Sequence, residues 1–138
     1  MRKMFSALSL TWGLPLTLCG AVVALFLLVT GHRPRRWGSC WCFEVGKSNW
    51  GGLSLGTIIL CQPNAPDSLK NHEFGHIIQN CYLGPFMIPL VLCSIARYHD
   101  RNRRAKRGEK LPPYDSWWFE GWATRLGEQT YNRWITNN

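Results

Sequence analysis

The segment His72-Glu73-Phe74-Gly75-His76 decides what this chain builds, because it places two histidines four residues apart. Residues i and i+4 lie on the same face of an α-helix, one turn apart. Two imidazoles on one helix face can ligate a single metal ion, and Glu73 between them is not needed as a ligand. The segment therefore predicts a helix that carries a zinc site, with Zn²⁺ as the cofactor.

The flanking residues support a helix that packs into a core. Asp67 and Ser68 follow the chain-breaking stretch 63–66, and either one is a suitable N-cap for a helix that ends near Cys81. The face opposite the histidines carries an apolar stripe, formed by Phe74, Ile77, Ile78 and Cys81. The helix is expected to bury that stripe and to turn the histidines toward a cleft.

A catalytic zinc needs a third protein ligand, because its fourth position stays open for water. Glu120 is the candidate, since it lies among aromatic residues in the segment 116–123. Asp115 can cap a second helix there, which would face the first. Asp115, His99 and Glu128 are weaker candidates for the same ligand. The alternative for Glu120 is an exposed carboxylate beside an interfacial tryptophan belt.

Two short runs before the histidine helix predict β-strands. Residues 39–45 (SCWCFEV) and 53–61 (LSLGTIILC) are rich in β-branched and aromatic residues, and a turn cluster separates them. They predict a β-hairpin. Cys40 and Cys42 would point to one face of the first strand, where they can bind metal or pair with other cysteines, but buried thiols are the simpler interpretation.

The N-terminal segment predicts a membrane anchor. Residues 8–30 contain no charged side chain and are long enough to cross a bilayer as a helix. We expect an anchor with basic flanks over residues 1–36 and a metal-binding domain over residues 37–138. A cleaved signal peptide and a buried core helix are the alternatives. The apolar stretch 83–96 contains two prolines and is short for a spanning helix, so it predicts a core helix or a re-entrant or surface-lying segment.

The net charge of +8 favours an anionic lipid surface as partner, because most basic residues flank apolar segments. The basic cluster 97–110 is expected to be a loop retained on the cytoplasmic side, which tips the topology toward a cytoplasmic domain on a single-pass anchor. A solvated loop is the plainer interpretation of that cluster. No specific nucleic acid is expected as a partner, because no recognition motif accompanies the charge.

The HExxH motif at 72–76, followed at a distance by Glu120 on a second helix, resembles the zincin metallopeptidases of the gluzincin type. The resemblance covers residues 53–127. The stretches 72–85 (HEFGHIIQNCYLGP) and 119–127 (FEGWATRLG) look like those of small bacterial membrane-associated HExxH proteins of unassigned activity. The resemblance implies an α+β fold: an N-terminal transmembrane helix, then a small zincin-like domain with a β-hairpin, the HExxH helix, an apolar helical segment and a C-terminal ligand helix.

The same resemblance implies that His72, His76 and Glu120 hold the metal. Glu73 then accepts a proton from the water that attacks a polarised carbonyl and acts as a proton shuttle. Thr124 stands where many gluzincins carry an acidic residue, so support for a histidine is expected to be weak. No oxyanion stabiliser is singled out, although Tyr82, His99 and Tyr114 are chemically able.

The sequence thus predicts a membrane-anchored zinc metallohydrolase, a peptidase acting on a peptide or protein substrate. The alternative is a noncatalytic membrane-bound interaction module whose zinc site is structural or lost. An intramembrane protease is disfavoured, because polar residues such as Lys70, Asn71 and Gln79 make the helix unsuited to lipid. The substrate and the oligomeric state stay open.

Overall fold

The computed structural model describes residues 7–136 and their side chains as far as Arg133. Arg2 and Lys3, the basic residues on the N-terminal flank of the predicted anchor, lie outside the described residues. The described chain forms one small sheet and four main helices. In chain order the elements are α1 (Leu14–Val29), β1 (Arg35–Trp37), β2 (Cys40–Glu44), β3 (Gly52–Leu55), β4 (Ile58–Cys61), α2 (Asp67–Leu83), α3 (Met87–Lys106) and α4 (Trp118–Thr136). Short 3-10 turns precede α3 (Gly84–Phe86) and α4 (Tyr114–Ser116). The mixed α+β class is confirmed.

The sheet has the order β1-β2-β4-β3. β2 and β4 pair in parallel, with Cys42 opposite Ile59, while β1–β2 and β3–β4 are antiparallel. The predicted hairpin between residues 39–45 and 53–61 is therefore wrong. Gly56, at φ +62°, turns the chain inside the second run, and splits that run into β3 and β4. β3 consequently lies at the edge of the sheet.

The helix α1 packs along the sheet instead of standing apart from the domain. Leu27 clusters with Phe43 and Ile58 near its end, and Gly20 lies so close to strand β3 that an added Cβ would meet the Leu55 carbonyl oxygen at 2.1 Å. The structure thus does not show a separate N-terminal transmembrane anchor. The outward face of α1 is nevertheless apolar and exposed, and Val22, Phe26 and Val29 lie on it.

The other face of the sheet is covered by α2. Phe74 and Ile77 are buried and cluster with residues of β2 and β4, among them Cys42 and Cys61. This confirms the predicted apolar stripe. The helix begins at Asp67 after Pro66, which gives no side-chain cap, so the expected Asp67 or Ser68 cap does not form. The Cys42 and Cys61 sulfurs lie 3.0 Å apart inside the core, as hydrogen-bonded thiols.

The helix α3 contains the apolar stretch and most of the basic cluster. Residues 97–106 continue the helix, so the expectation of a basic loop from 97 is wrong for that part; the chain leaves the helix only at Arg107. Within the described residues, one helical stretch, Asp67–Lys106, is long and apolar enough to cross a membrane. Of its apolar 18-residue segment, 33% is buried inside the protein. That stretch includes α2, the 3-10 turn and α3, and it lies in the middle of the chain.

Candidate metal centre

The site is built where α2 and α4 cross in close contact. An added Cβ on Gly75 would meet the Ala123 carbonyl oxygen at 1.8 Å, and one on Gly127 would meet the Asn71 carbonyl oxygen at 1.8 Å. These pairs run in opposite directions along the two helices, so the crossing is antiparallel. Small residues let the two backbones approach, which leaves the longer side chains beside them facing one another.

Glu120 meets both histidines at this crossing. Its Oε2 atom lies 3.1 Å from His72 Nε2 and 3.0 Å from His76 Nε2. The candidate ligand atoms of the three residues all lie within 4.8 Å of one another. The three side chains that the sequence singled out as ligands are therefore brought together, and the group could hold a metal ion.

Each histidine is oriented from its far side. His72 Nδ1 lies 2.9 Å from Thr124 Oγ1, whose hydroxyl donates to the Glu120 carbonyl oxygen at 3.2 Å. The hydroxyl oxygen is thus left to accept a hydrogen bond from His72. Thr124 therefore contacts a histidine from the position where the absence of an acidic residue was expected to weaken that support.

His76 is held in the same way by Gln79. The Gln79 amide nitrogen donates to the Phe119 carbonyl oxygen at 2.9 Å, which directs the amide oxygen to His76 Nδ1 at 2.7 Å. An amide oxygen can only accept, so His76 Nδ1 carries the proton. This role of Gln79 is not predicted from the sequence, although its position three residues after His76 puts both side chains on one helix face.

The arrangement of protons favours a cation between the three residues. With Nδ1 protonated on both rings, each Nε2 faces Glu120 Oε2 with a lone pair unless a second proton makes the imidazole positively charged. A metal ion bound between the three residues would take the place of the protons that both Nε2 atoms otherwise need to face the carboxylate. Two ligands about 2.0 Å from zinc at the tetrahedral angle lie about 3.3 Å apart, close to the separations of 3.0 and 3.1 Å found here. Two imidazole nitrogens and a carboxylate oxygen within 4.8 Å of one another are a donor set of the kind that binds zinc.

Glu120 is buried and strongly held. Burial raises the pKa of its carboxyl, but hydrogen bonds from His72, His76 and Ser94 and the charge of His76 outweigh burial and hold that pKa well below its usual range. Ser94 of α3 donates to Glu120 Oε1, and the Tyr114 hydroxyl lies 3.4 Å from the same atom. These contacts fix one carboxylate oxygen and leave the other facing the histidines. Nothing in the sequence pointed to Ser94.

Glu73 lies beside the metal-binding group without belonging to it. Its side chain is buried, and its Oε2 accepts a hydrogen bond from Ser54 of β3 at 3.0 Å. The side chain lies against Gly52, where an added Cβ would be 2.7 Å from Glu73 Oε1. The edge strand therefore sets the position of this carboxylate.

A cavity of about 640 Å³ opens over the group. Its walls come from β3, α2, α3, α4 and the segment before α4, and include His72, Glu73, His76 and Glu120. His99 and Asp115 also line the cavity but lie outside the metal-binding group, and Glu128 is exposed on α4. Tyr114 lines the cavity, whereas Tyr82 is exposed and its ring lies tilted at 6.1 Å from that of Trp122.

Comparison with protein-family models, curated proteins and solved structures finds no match to this chain. The geometry of the site therefore carries the functional argument.

Proposed function

We propose that this protein is a membrane-bound zinc-dependent hydrolase that cleaves peptide bonds. The observation that carries the proposal is the convergence of His72 Nε2, His76 Nε2 and Glu120 Oε2 beside a buried, non-ligating Glu73 in one cavity. When bound there, zinc would supply Lewis acidity that polarises a carbonyl and makes water more acidic. The proposed activity is the one that the resemblance of the sequence to gluzincins implies.

Glu73 is the general base of the proposed reaction. The Ser54 hydroxyl anchors one of its oxygens, which leaves the other for the attacking water. Glu73 accepts a proton from that water and delivers it to the departing amine, so the carboxylate is regenerated in each cycle. A carboxylate needed only for structure has no reason to line the cavity next to both histidines.

Tyr114 is the candidate hydrogen-bond donor for the developing oxyanion. Burial is the main reason that its pKa is raised to about 12, so its hydroxyl keeps its proton at neutral pH. Arg97 donates to the Tyr114 carbonyl oxygen at 3.0 Å and lies over the Tyr114 ring, which fixes the residue at the cavity wall. The hydroxyl donates to Glu120 Oε1 only over a long distance of 3.4 Å, so in the proposed reaction it turns its proton from that atom to the negative oxygen.

An extended peptide suits the cavity. β3 lies at the sheet edge, and residues 52–54 line the cavity beside Glu73. A peptide can add to such an edge as a further strand, with its backbone held by hydrogen bonds and its scissile carbonyl next to the ligand group. This supports a peptide or protein as the substrate class.

The helix α1 supports attachment to a membrane. Its outward face is apolar and exposed over its length, with Leu18, Leu25 and Phe26 each more than half exposed. Such a continuous surface is typical of contact with lipid. We propose that α1 attaches the domain to the bilayer, and the cytoplasmic location of the domain stays a prediction.

Metal content and peptide hydrolysis test the proposal together. Purified wild type is expected to hold about one zinc per chain and to cleave a peptide library. Glu73→Gln should keep zinc and lose cleavage, while His72→Ala and Glu120→Ala should lose or weaken both. Glu128→Gln is the matched control, because this glutamate is exposed on the same helix as Glu120. A zinc-free wild type, or full activity in Glu73→Gln, would refute the proposal.

A further inference from the structure

The helix α3 has little protein around its apolar half. Within its 20 residues only Met87 is buried. Leu92 is 61% exposed, and Phe86, just before the helix, is 67% exposed. Residues 87–96 contain no charged side chain. An apolar helical segment of this kind costs free energy in water, so another apolar medium is expected to cover it.

The exposed apolar side chains continue from α3 onto its neighbours. The Trp12 indole nitrogen donates to the Tyr82 carbonyl oxygen at 3.3 Å, the Tyr82 ring lies 6.1 Å from that of Trp122, and the Trp122 ring lies 6.5 Å from that of Trp118. Tyr82 and Trp118 are 66% and 58% exposed. These aromatic residues link the turn before α1 with the end of α2 and the start of α4. Tryptophan and tyrosine are enriched where proteins meet the bilayer interface.

The second half of α3 and the turn after it are basic, in contrast to the apolar first half. Exposed basic residues follow one another there: Arg103, Arg104, Lys106, Arg107 and Lys110. Arg104 is paired with Glu109 at 2.7 Å. The others form a positive surface that complements anionic headgroups. The helix is thus apolar at one end and basic at the other.

We propose that the apolar half of α3 inserts into one leaflet of an anionic bilayer, so that the cavity opens at the membrane interface. The basic half then lies among the headgroups. The α3 wall of the cavity is formed by Val91 in the apolar half and by residues near the boundary between the two halves: Ser94, Ile95, Tyr98 and His99.

The position of the cavity at the membrane interface indicates a substrate class, and this inference rests on the proposed peptidase function. A cavity at the level of the headgroups meets polypeptide as it leaves the bilayer. The substrate is therefore the juxtamembrane segment of a membrane-anchored polypeptide. A membrane-anchored substrate is concentrated at the bilayer surface, whereas a soluble peptide must reach the same cavity from bulk water.

The depth of α3 is measured with a nitroxide on Cys93, which is exposed, in the full chain with Cys19→Ser. The other four cysteines are buried. The protein is placed in vesicles of phosphatidylcholine with phosphatidylglycerol, and collisions of the label with oxygen and with a water-soluble nickel chelate are compared. Arg103→Cys, with Cys93→Ser, provides the matched label on the basic half. The Cys93 label should lose collisions with nickel and gain collisions with oxygen, and the label at 103 should do the reverse.

A Cys93 label that meets the nickel chelate as often as the label at 103 would overturn the insertion. So would spin–spin broadening between Cys93 labels in lipid-free protein that persists in vesicles, because a second copy of the chain would then cover this face.

The substrate class is tested with one fluorogenic peptide made with and without an N-terminal fatty acyl chain. In vesicles the acylated form should be cleaved about tenfold faster or more, since the shared bilayer raises its effective concentration. Equal rates would overturn the juxtamembrane assignment. Zinc content separates a failure of the insertion proposal from a failure of the proposed hydrolase. A Cys93 label exposed to water on zinc-loaded, active protein refutes only the insertion. A Cys93 label inside the bilayer on zinc-free protein supports the insertion and refutes the hydrolase.

Discussion

Replacing Gly75 with alanine tests whether the α2–α4 crossing builds the metal centre. Gly75 lies inside the HExxH segment, and its added Cβ would be 1.8 Å from the Ala123 carbonyl oxygen, 2.6 Å from the Ala123 carbonyl carbon and 2.9 Å from its Cα. Ordinary van der Waals contact begins near 3.4 Å. Because the obstacle is backbone, no side-chain rotation relieves it, and the helices must separate by more than an ångström.

Two opposite terms set the magnitude. Glycine to alanine inside a helix stabilises by about 1 kcal/mol when there is room for the methyl group. Overpacking a tight contact costs about 1–3 kcal/mol. With a rigid carbonyl in the way we expect the upper end of that cost, and thus a net loss of about 2 kcal/mol in the free energy of unfolding. The sign of the change is itself diagnostic.

The metal site should respond as well. Ligand distances tolerate only about 0.2 Å of error, so a displacement of Glu120 by an ångström removes it from the set. Zinc affinity is expected to fall by more than about 100-fold, beyond the effect of losing a supporting contact. Denaturant unfolding followed by tryptophan fluorescence and competitive zinc titration measure the two effects on detergent-purified protein.

Two variants serve as controls. Glu128→Ala changes an exposed residue of α4 and should leave both quantities near wild type. Gly127→Ala meets the Asn71 carbonyl oxygen at 1.8 Å and should destabilise to a similar degree. A Gly75→Ala protein that is more stable than wild type and binds zinc normally would refute the close crossing and the site built on it.

Gly52→Ala should push the Glu73 carboxylate aside without touching a ligand, because its Cβ would lie 2.7 Å from Glu73 Oε1; we expect kcat to fall about 100-fold with zinc content unchanged, and loss of zinc would contradict this. Gln79→Leu removes the acceptor from His76 Nδ1, and zinc titration should show affinity lower by about 10–100-fold; unchanged affinity would mean that Gln79 does not orient the ring. Tyr114→Phe should lower kcat by about 100-fold or more with zinc retained, and steady-state kinetics that match wild type would exclude it as the oxyanion donor.

The sequence predicted well what depends on near neighbours along the chain. The spacing of His72 and His76, and the apolar stripe with Phe74 and Ile77, follow from the helical period alone. Glu120 stood out because a carboxylate among aromatic residues needs a partner. The structure places it against both histidines.

Strand pairing was not predicted, because it depends on contacts between distant segments. The run 53–61 has strand composition throughout, yet Gly56 turns the chain within it, and β4 then pairs in parallel with β2. The glycine was a visible signal of this turn. A run that is apolar on all sides fits a bilayer and a sheet face equally well, so the sequence predicts a free anchor where the structure shows α1 packed on the sheet.

The sequence by itself determined which residues share a helix face, and hence that two imidazoles could bind one metal ion. Only the tertiary structure decided how that pair is completed: Gly75 and Gly127 allow α2 and α4 to cross closely, Ser94 arrives from α3, and Ser54 from the sheet edge holds Glu73. The physical reason is range. Helical periodicity is a property of neighbouring residues, whereas the ligand set depends on the packing of segments far apart in the chain.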